Sequence, residues 1–286
     1  MLAWPAVPSV LGTGASTGIG RSTALRLDAA GWRVFAGVRK AEDADSLRAE
    51  ATERLSTLML DVTDAAQIST AAEEIGEKFG SQGLDGLVNN AGIVVPGPLE
   101  TLPVDDFRRQ IEINLTGQLA VTQALLPAVR AARGRIVFTS SIGGRIAFPM
   151  FGAYHVSKFG LEAVGDVFRQ ELRPWGIKVV VIEPGSIATP LWDRGDTEVD
   201  AITGRAGDGH ADLYGKTIAR YRHLARKTGA RGIPPEKVAA RIEHALITRR
   251  PRSRYLVGAD AKGQALAVRF IPDRLRDWVV ARVAGA

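Results

Sequence analysis

The chain has 286 residues, of which 45% are hydrophobic and 24% are charged, and its formal net charge is +6. This length and composition are typical of one large α/β domain with a substantial core. The chain contains no cysteine, which excludes a disulfide framework and a thiolate metal site. The four histidines follow no metal-binding spacing, and no apolar run reaches the roughly 18–20 residues that cross a bilayer. The cysteine and histidine patterns predict no metal site. The opening MLAWPAVPSV lacks the basic region of a secretion signal, so we expect a cytoplasmic location.

Positive charge is concentrated in the C-terminal third of the chain. Residues 191–286 carry 19 Lys and Arg against 11 Asp and Glu, whereas residues 1–190 carry 18 against 20. Such a basic segment can face an anionic ligand, a membrane surface or nucleic acid. The basic residues are not interleaved with stacking aromatics, which argues against nucleic acid. We interpret most of this charge as solvated helix faces.

Short apolar runs alternate with amphipathic segments along the first 190 residues. The runs lie at 7–13, 32–38, 55–62, 84–92, 134–141 and 177–185, and the amphipathic segments lie near 18–30, 64–80, 105–131 and 152–173. Apolar strands without polar alternation indicate a sheet buried on both faces, and regular alternation of strand and helix makes that sheet parallel. The sequence therefore predicts an α/β fold with a doubly wound parallel sheet, the Rossmann architecture.

The pattern changes beyond the sixth apolar run. Residues 193–212 are polar and contain several glycines, which predicts a mobile loop. A helix is expected near 213–228, another begins near Pro235, and residues 253–258 are a candidate seventh strand. We expect the segment 190–230 to cover the substrate as a lid, because it follows the strand ends where ligands bind in such sheets.

The tail from residue 261 carries apolar residues at a helical spacing, namely Leu275, Trp278, Val279 and Val283. Arginines flank this stripe, so the helix can pack on its own domain or on a partner subunit, or lie on an anionic membrane surface. We favour packing, because core stripes are far commoner than membrane-binding ones. The predicted organisation is one Rossmann domain over residues 1–258, lid included, followed by an amphipathic helical tail over residues 259–286.

The segment TGASTGIG, residues 13–20, joins the first predicted strand to the first predicted helix. Gly14 lets the chain turn, Gly18 lets the backbone approach a pyrophosphate, and Gly20 allows helix and strand to pack closely. The start of the helix then presents free N–H groups and its positive dipole end to phosphates. The strand–turn–helix context makes this segment a candidate dinucleotide site.

A second signature, AYHVSKFG, places Tyr154 and Lys158 four residues apart on a predicted helix. A free tyrosine has a pKa of about 10 and is a poor base at neutral pH, whereas a cation held close favours the phenolate. Lys158 follows Tyr154 by one helical turn on the same face, so we expect it to lower the pKa of Tyr154. His155 points off this face, and we interpret it as a packing or surface residue.

With these motifs in order, the chain resembles the short-chain dehydrogenase/reductase family over roughly residues 7–258. The glycine turn of the family matches Thr13, Gly14, Gly18 and Gly20, and its N-N-A-G stretch matches residues 89–92. Its active-site set matches Asn114, Ser141, Tyr154 and Lys158, and its P-G stretch with a following threonine matches Pro184, Gly185 and Thr189. The segments VFAGVRK and SRYLVG look like the branch that contains hydroxysteroid and retinol dehydrogenases.

The resemblance implies roles for these residues. Tyr154 would be the general acid/base, and Lys158 would tune it and hold the nicotinamide ribose. Ser141 would stabilise the developing alkoxide, and Asn114 would anchor a water that connects Lys158 to solvent. The cofactor-binding residues that the resemblance implies are Gly14, Ser16, Thr17, Gly18, Ile19, Gly20, Arg39, Lys40, Asp61, Val62, Asn89, Ala91, Gly92, Tyr154, Lys158, Pro184, Gly185, Ile187 and Thr189.

The end of the second predicted strand bears on the choice of cofactor. An acidic residue there favours NAD, because it accepts a hydrogen bond from the ribose 2′-hydroxyl. This chain has Val38 at that position, followed by Arg39 and Lys40, and a guanidinium suits a phosphate. Thr17 stands where the family has a second basic site. The sequence therefore favours NADP(H), with NAD(H) as the alternative.

The predicted function is the NADP(H)-preferring interconversion of a secondary alcohol and a carbonyl on a lipophilic small molecule, in a homodimer or homotetramer. Two alternatives stay open, a cofactor-binding regulator without turnover and a sugar-nucleotide epimerase, which also uses Y-x-x-x-K. The intact set of Ser141, Tyr154 and Lys158 argues against the regulator, and the glycine spacing argues against the epimerase.

Overall fold

Seven parallel strands form one sheet within the residues that this computed structural model describes, which are 7–192, 195, 198, 199, 202 and 209–284. The strands are β1 (Ser9–Gly12), β2 (Arg33–Val38), β3 (Leu55–Met59), β4 (Gly86–Asn89), β5 (Arg135–Thr139), β6 (Lys178–Pro184) and β7 (Arg254–Val257). They lie in the order β3-β2-β1-β4-β5-β6-β7, and every neighbouring pair is parallel. Each run that predicted a strand contains one, so the doubly wound parallel sheet is confirmed.

Helices connect the strands and continue past the sheet. They are α1 (Gly18–Ala29), α2 (Ala41–Arg48), α3 (Ala65–Phe79), α4 (Val104–Ile111), α5 (Gly117–Ala132), α6 (Gly152–Glu171), α7 (Gly209–Arg231), α8 (Pro235–Ile247), α9 (Ala259–Phe270) and α10 (Asp273–Ala284). A π-helical turn, Glu112–Thr116, joins α4 to α5 and interrupts the single helix predicted near 105–131. The sequence did not predict α2, because its two buried apolar side chains, Ala44 and Leu47, leave too weak a periodic signal.

The sheet is covered on both faces, which explains its apolar strands. Consecutive residues of a strand point to opposite faces, and Val10 and Leu11 of β1 accordingly lie in different hydrophobic cores. Helices α1 and α8 pack together over one face, and α3 and α5 pack together over the other. A sheet covered in this way leaves its strand ends as the place for a ligand.

The chain changes direction across the sheet between β1 and β4. From β1 it moves outward through β2 and β3, and from β4 it moves the other way through β5, β6 and β7. In such sheets the crevice at the carboxyl ends of the strands that flank this reversal binds ligands. The glycine turn after β1 and the segment 90–92 after β4 both lie at that edge.

Some predictions fall on residues outside the description. The polar segment 193–212, predicted as a mobile loop, lies mostly outside the described residues, and so does part of the predicted lid over 190–230. The helix expected near 213–228 is longer than predicted and spans Gly209–Arg231. Pro235 is the first residue of α8, where the missing proline N–H costs no helical hydrogen bond.

The C-terminal segment forms two helices with different surroundings. Ala261 of α9 is fully buried in a cluster with Ile142 and Ile146, and Val280 of α10 packs against the same cluster. The stripe predicted to pack stays 50%, 53% and 42% exposed at Leu275, Trp278 and Val279. These three side chains are therefore not buried against their own domain, because α10 turns Val280 inward instead, and packing on a partner subunit stays a prediction. The side chain of Val283 lies outside the description. Among the described helices, none is both long and apolar enough to cross a membrane.

Candidate active site

A cavity lies at the carboxyl ends of β1 to β4, and we call it the glycine-turn cavity. The cofactor residues predicted from the sequence that line it are Gly14, Ser16, Thr17, Gly18, Ile19, Arg39, Asp61, Val62, Ala91, Gly92 and Thr189. Residues that were not predicted also line it, namely Gly37, Val38, Leu60, Asn90, Ile93, Ile113 and Leu191. These walls come from five separate strand ends, which the parallel sheet brings to one edge.

The floor of this cavity is backbone without side chains. Gly14 and Gly18 have φ angles of 65° and 54°, in the region that favours glycine. A Cβ at Gly14 would lie 2.8 Å from the Cα of Ala91, and a Cβ at Gly18 would lie 3.0 Å from the Cγ2 of Thr189. Helix α1 begins at Gly18 and adds its free N–H groups and dipole. This bare cradle fits the pyrophosphate of a dinucleotide.

Thr13 and Asn90 fasten the glycine turn to the end of β4. The Thr13 hydroxyl oxygen accepts hydrogen bonds from the backbone N–H groups of Asn90 and Ala91, both at 3.0 Å. The Asn90 side-chain amide donates back to the carbonyls of Thr13 and Gly14, at 3.2 and 3.3 Å. These four bonds set the width of the cavity between the two strand ends.

Two residues predicted to bind cofactor belong to the framework instead. Asn89 is fully buried, and its side-chain amide donates to Thr122 Oγ1 at 2.8 Å, away from the cavity. Asn90, the next residue, takes the place in the wall that the sequence assigned to Asn89. A Cβ at Gly20 would lie 2.1 Å from the carbonyl oxygen of Gly14, so Gly20 keeps α1 against the turn.

The end of β2 brings a cation to the cavity. Arg39 lines the wall with 57% of its side chain exposed, and its Nη1 lies 4.0 Å from the Oδ2 of Asp61. Val38 is buried at the position where an acidic residue would select NAD. Lys40 is exposed at the N-terminal boundary of α2 and does not line the cavity. Of the predicted basic pair, Arg39 therefore lines this cavity and Lys40 does not.

A second cavity lies beside the first, at the ends of β5 and β6, and we call it the aromatic cavity. Ser141 and Tyr154 line it together with Phe148, Phe151 and Trp192. Three of the predicted cofactor residues line it as well, namely Pro184, Gly185 and Ile187. The two cavities share the wall residues Ile19, Thr189 and Leu191. A molecule in one cavity would therefore meet a molecule in the other.

Ser141 and Tyr154 are brought together by the short 3-10 turn Ile142–Gly144, which follows β5. The Ser141 side-chain oxygen accepts from the backbone N–H of Gly143 at 3.0 Å. The Ser141 hydroxyl also lies close enough to the Tyr154 phenol to affect its pKa. The two hydroxyl groups therefore converge on one point of the cavity wall, where a substrate oxygen could contact both.

Lys158 is buried behind Tyr154 and does not line either cavity. Its ammonium donates to the Thr139 carbonyl at 2.8 Å and lies 5.7 Å from the centre of the Tyr154 ring. Burial lowers the pKa of Lys158 from 10.5 to about 8, although the Glu162 carboxylate opposes that change.

Burial also raises the pKa of Tyr154, and the nearby Ser141 hydroxyl offsets only part of that increase. The expected lowering of the Tyr154 pKa is therefore wrong for the protein alone. Loss of hydration around the phenol is the largest cause of the change.

Asn114 and His155 hold the segments around the site. Asn114 lies in the π-helical turn and is fully buried; its Oδ1 accepts from Ile93 N–H at 2.8 Å. Its Nδ2 donates to the Ile93 carbonyl at 3.0 Å and to Ser157 Oγ at 3.2 Å. His155 is buried, as the packing interpretation expected, with Nδ1 2.8 Å from the Gly143 carbonyl. No group of three metal-ligating side chains occurs in the described part of the chain.

Comparison with known proteins assigns this geometry to a family. Residues 8–199 match the model of the short chain dehydrogenase family. The chain belongs to this family. This short-chain dehydrogenase is 38% identical over 289 residues to retinol dehydrogenase 5 of Mus musculus. That alignment covers 95% of this chain and 88% of the relative. It is also 38% identical over 276 residues to 17-beta-hydroxysteroid dehydrogenase type 6 of Bos taurus, with 94% and 86% covered.

A solved structure supports the same assignment. The crystal structure of a short-chain dehydrogenase from Streptomyces avermitilis aligns with a TM-score of 0.78 at 32% identity, and covers 97% of this chain and 98% of that one. The relatives are named as dehydrogenases, so this short-chain dehydrogenase is an oxidoreductase. The alternatives of a regulator and of an epimerase gain no support from these relatives.

Sequence reasoning missed most of the aromatic cavity of this short-chain dehydrogenase. Phe148 and Phe151 follow the end of β5, and their position after a strand that leads to Ser141 was an available signal. Trp192 lies just past Thr189 and carried the same kind of signal. Gln264 reaches the cavity from α9, far along the chain, and no local pattern marks it.

Lys158→Met removes the buried ammonium of this short-chain dehydrogenase and keeps much of the side-chain length. The pKa of Lys158 is about 8 in the folded protein and 10.5 ordinarily, so the unfolded chain binds more protons between those values. The free energy of unfolding should therefore gain a contribution on the order of 1–2 kcal/mol as the pH rises from about 8 to about 9.5. The variant should lack this contribution in urea unfolding at the two pH values.

Lys178→Met is the matched control, because Lys178 is an exposed lysine at the start of β6. It should retain the wild-type pH dependence, since groups common to all three proteins cancel in the comparison. The same pH dependence in wild type and Lys158→Met would show that Lys158 is not desolvated as the structure indicates.

Proposed function

We propose that this short-chain dehydrogenase interconverts a secondary alcohol and a carbonyl on a lipophilic substrate, with NADP(H) as the preferred cofactor. The observation that carries the proposal is that Ser141 and Tyr154 line the wall of one cavity, while the ammonium of Lys158 lies buried 5.7 Å from the centre of the Tyr154 ring. That cavity shares Ile19, Thr189 and Leu191 with the glycine-turn cavity. The cradle at Gly14 and Gly18 would hold the cofactor, which supplies or accepts the hydride when it is bound.

The side chains of the aromatic cavity would handle the proton and the oxygen. Because burial raises the pKa of Tyr154, its phenol keeps the proton at neutral pH and is ready to donate it to a carbonyl oxygen. Ser141 would donate to the same oxygen and stabilise its negative charge in a water-poor site. Lys158, held on Thr139, would favour the phenolate that remains after proton donation.

Asn114 acts at a distance from the reacting atoms. Its amide groups are engaged by Ile93 and Ser157, and Ser157 Oγ donates to the Tyr154 carbonyl at 2.6 Å. We assign it the role of positioning the end of β4 against α6, because these contacts join the wall of one cavity to the helix that carries Tyr154. The water relay that the family resemblance implies stays a prediction.

The lining of the aromatic cavity supports a lipophilic substrate. Much of its wall is hydrophobic, with Val94, Ile142, Phe148, Phe151, Leu191 and Trp192. Such a lining binds apolar skeletons through the area that it removes from water. The relatives in Mus musculus and Bos taurus are named for retinol and for hydroxysteroids, which are molecules of this kind.

The preference for NADP(H) rests on Arg39. Its guanidinium is in the wall of the glycine-turn cavity, and the neighbouring strand-end residue, Val38, carries no charge that would repel a 2′-phosphate. A planar guanidinium binds phosphate through two parallel hydrogen bonds. Asp61, 4.0 Å from Arg39, holds the guanidinium at this end of the cavity.

Tyr154→Phe tests the proposed chemistry, because it removes only the hydroxyl. General acid catalysis contributes roughly 10²–10⁴ in rate, so turnover of a steroid ketone with NADPH should fall at least about a hundredfold. The affinity for NADPH, measured by fluorescence titration, should change little. Tyr255→Phe is the control, since Tyr255 lies in β7 and its oxygen accepts from Arg252 N–H at 3.1 Å, away from both cavities. If turnover of Tyr154→Phe stays within tenfold of wild type, the assignment of Tyr154 as the general acid is wrong.

Arg39→Ala tests the cofactor preference. A charge-assisted hydrogen bond is worth roughly 1.5–3 kcal/mol, so kcat/KM for NADPH should fall on the order of ten- to a hundredfold. The value for NADH should stay nearly unchanged. Arg48→Ala is the control, because Arg48 is an exposed arginine of α2 that pairs with Asp45. A wild type that prefers NADH, or a cofactor ratio that does not move in Arg39→Ala, would show that Arg39 is only surface charge.

A further inference from the structure

The aromatic cavity holds a buried nitrogen that the proposed reaction does not use. His155 is 6% exposed, and its ring centre lies 5.9 Å from those of Phe148, Phe151 and Tyr154. Its Nδ1 is bonded to the Gly143 carbonyl, but its Nε2 is buried and has no hydrogen-bond partner among the described residues. Leaving such a buried group unpaired is unfavourable, so its position in a cavity wall points to a ligand atom.

The hydrogen-bonding character of His155 follows from its contacts. A backbone carbonyl can only accept, so the Nδ1 of His155 must carry a proton that it donates to Gly143. Burial lowers the pKa of His155, which keeps the ring neutral at physiological pH. Nε2 is then a bare acceptor, and its ligand partner must be a donor.

A second polar side chain enters the same cavity from α9. Gln264 lines the wall, and its Oε1 is buried without a hydrogen-bond partner in the described part of the chain. Helix α9 is held in place by the buried Ala261 and by Asp260, whose Oδ2 accepts from Ser186 N–H at 2.7 Å. Gln264 is therefore presented by an anchored helix, and its amide can both donate and accept.

The remaining lining decides the class of group that fits these two side chains. No lysine or arginine lines the aromatic cavity among the described residues, and the carboxylate of Asp260 does line it. An anionic group would therefore be disfavoured. Both unpartnered atoms, His155 Nε2 and Gln264 Oε1, accept hydrogen bonds, so one hydroxyl can donate to only one of them. A hydroxyl fits when it donates to His155 Nε2 and the Gln264 amide is turned so that its NH₂ group donates to the hydroxyl oxygen. The cavity volume of about 190 Å³ far exceeds the space that one water needs, so it has room for a hydroxylated skeleton.

We propose that His155 and Gln264 form a polar subsite that selects substrates with a second hydroxyl group in addition to the reacting oxygen. This inference rests on the proposed function and names its substrate class as lipophilic diols and the corresponding hydroxy ketones. The subsite explains why Nε2 of His155 and Oε1 of Gln264 have no hydrogen-bond partner among the described residues, although both residues line this cavity. Its occupant in the complex is the second hydroxyl, and a trapped water that serves only the protein is the competing outcome.

The test compares alcohols that differ only in the second hydroxyl. A steroid monoalcohol and the diols that add one hydroxyl at successive ring positions are oxidised with NADP⁺, and kcat/KM is measured for each. The wild type should favour at least one diol over the monoalcohol by about tenfold or more, because the analogue leaves buried polar groups unpaired. The gain should appear mainly in KM, since the subsite holds the substrate and does not touch the reacting atoms.

Three variants assign that preference to its residues. Gln264→Leu removes the amide at similar volume, and His155→Asn keeps a donor near Gly143 while removing Nε2. Each should bring the ratio of diol to monoalcohol close to one. Lys262→Leu changes an exposed residue of the same helix and should leave the ratio at its wild-type value. Thermal shifts with each steroid in the presence of NADPH give a second readout that needs no turnover.

The outcomes separate the inference from the function beneath it. Oxidation of all the alcohols with no diol preference, or with a preference that both variants retain, would overturn the polar subsite and leave the dehydrogenase function intact; a trapped water predicts this result. Absence of oxidation, combined with larger thermal shifts by diols that depend on Gln264, would overturn the proposed reaction but support the subsite. Absence of both would overturn both.

Discussion

The candidate site depends on one buried contact, between the ammonium of Lys158 on α6 and the carbonyl of Thr139 at the end of β5. Burying an ammonium is costly, and the pKa of about 8 at Lys158 reflects that cost. The contact joins α6 to the sheet, so that Tyr154, one helical turn before Lys158, reaches Ser141, two residues beyond Thr139.

The two cavities differ in what lines them, because one has a backbone floor and the other is lined mainly by side chains. The glycine-turn cavity has a floor of backbone at Gly14 and Gly18, held open by the bonds between Thr13 and Asn90, and this floor suits an invariant group such as a pyrophosphate. The aromatic cavity is lined mainly by side chains from the segments after β5 and β6 and from α6 and α9, and such side chains can be exchanged without disturbing the sheet. The sheet and the glycine turn would thus determine cofactor binding, and the side chains of the aromatic cavity would determine substrate choice.

Local sequence patterns predicted most of the fold and the residues at the centre of the candidate site. Strands buried on both faces leave continuous apolar runs, and the spacing of Tyr154 and Lys158 on one helix is a property of the helix. Local sequence patterns did not predict the features that depend on tertiary packing. The sign of the Tyr154 pKa shift depends on desolvation by distant elements, and only the turn into α2 decides that Arg39 lines the cavity while Lys40 does not. Gln264 joins the site only because α9 folds back over the turn after β5.

The two cavities adjoin at Ile19, Thr189 and Leu191. A cofactor in the glycine-turn cavity and an alcohol in the aromatic cavity would therefore be in direct contact. The most direct measurement uses a steroid alcohol that carries deuterium on its carbinol carbon, incubated with the enzyme and NADP⁺. Mass spectrometry of the reduced cofactor should show one deuterium transferred from each alcohol oxidised, on a single face of the nicotinamide ring. Formation of the ketone with an unlabelled reduced cofactor, or with label on both faces, would contradict direct transfer between the two cavities.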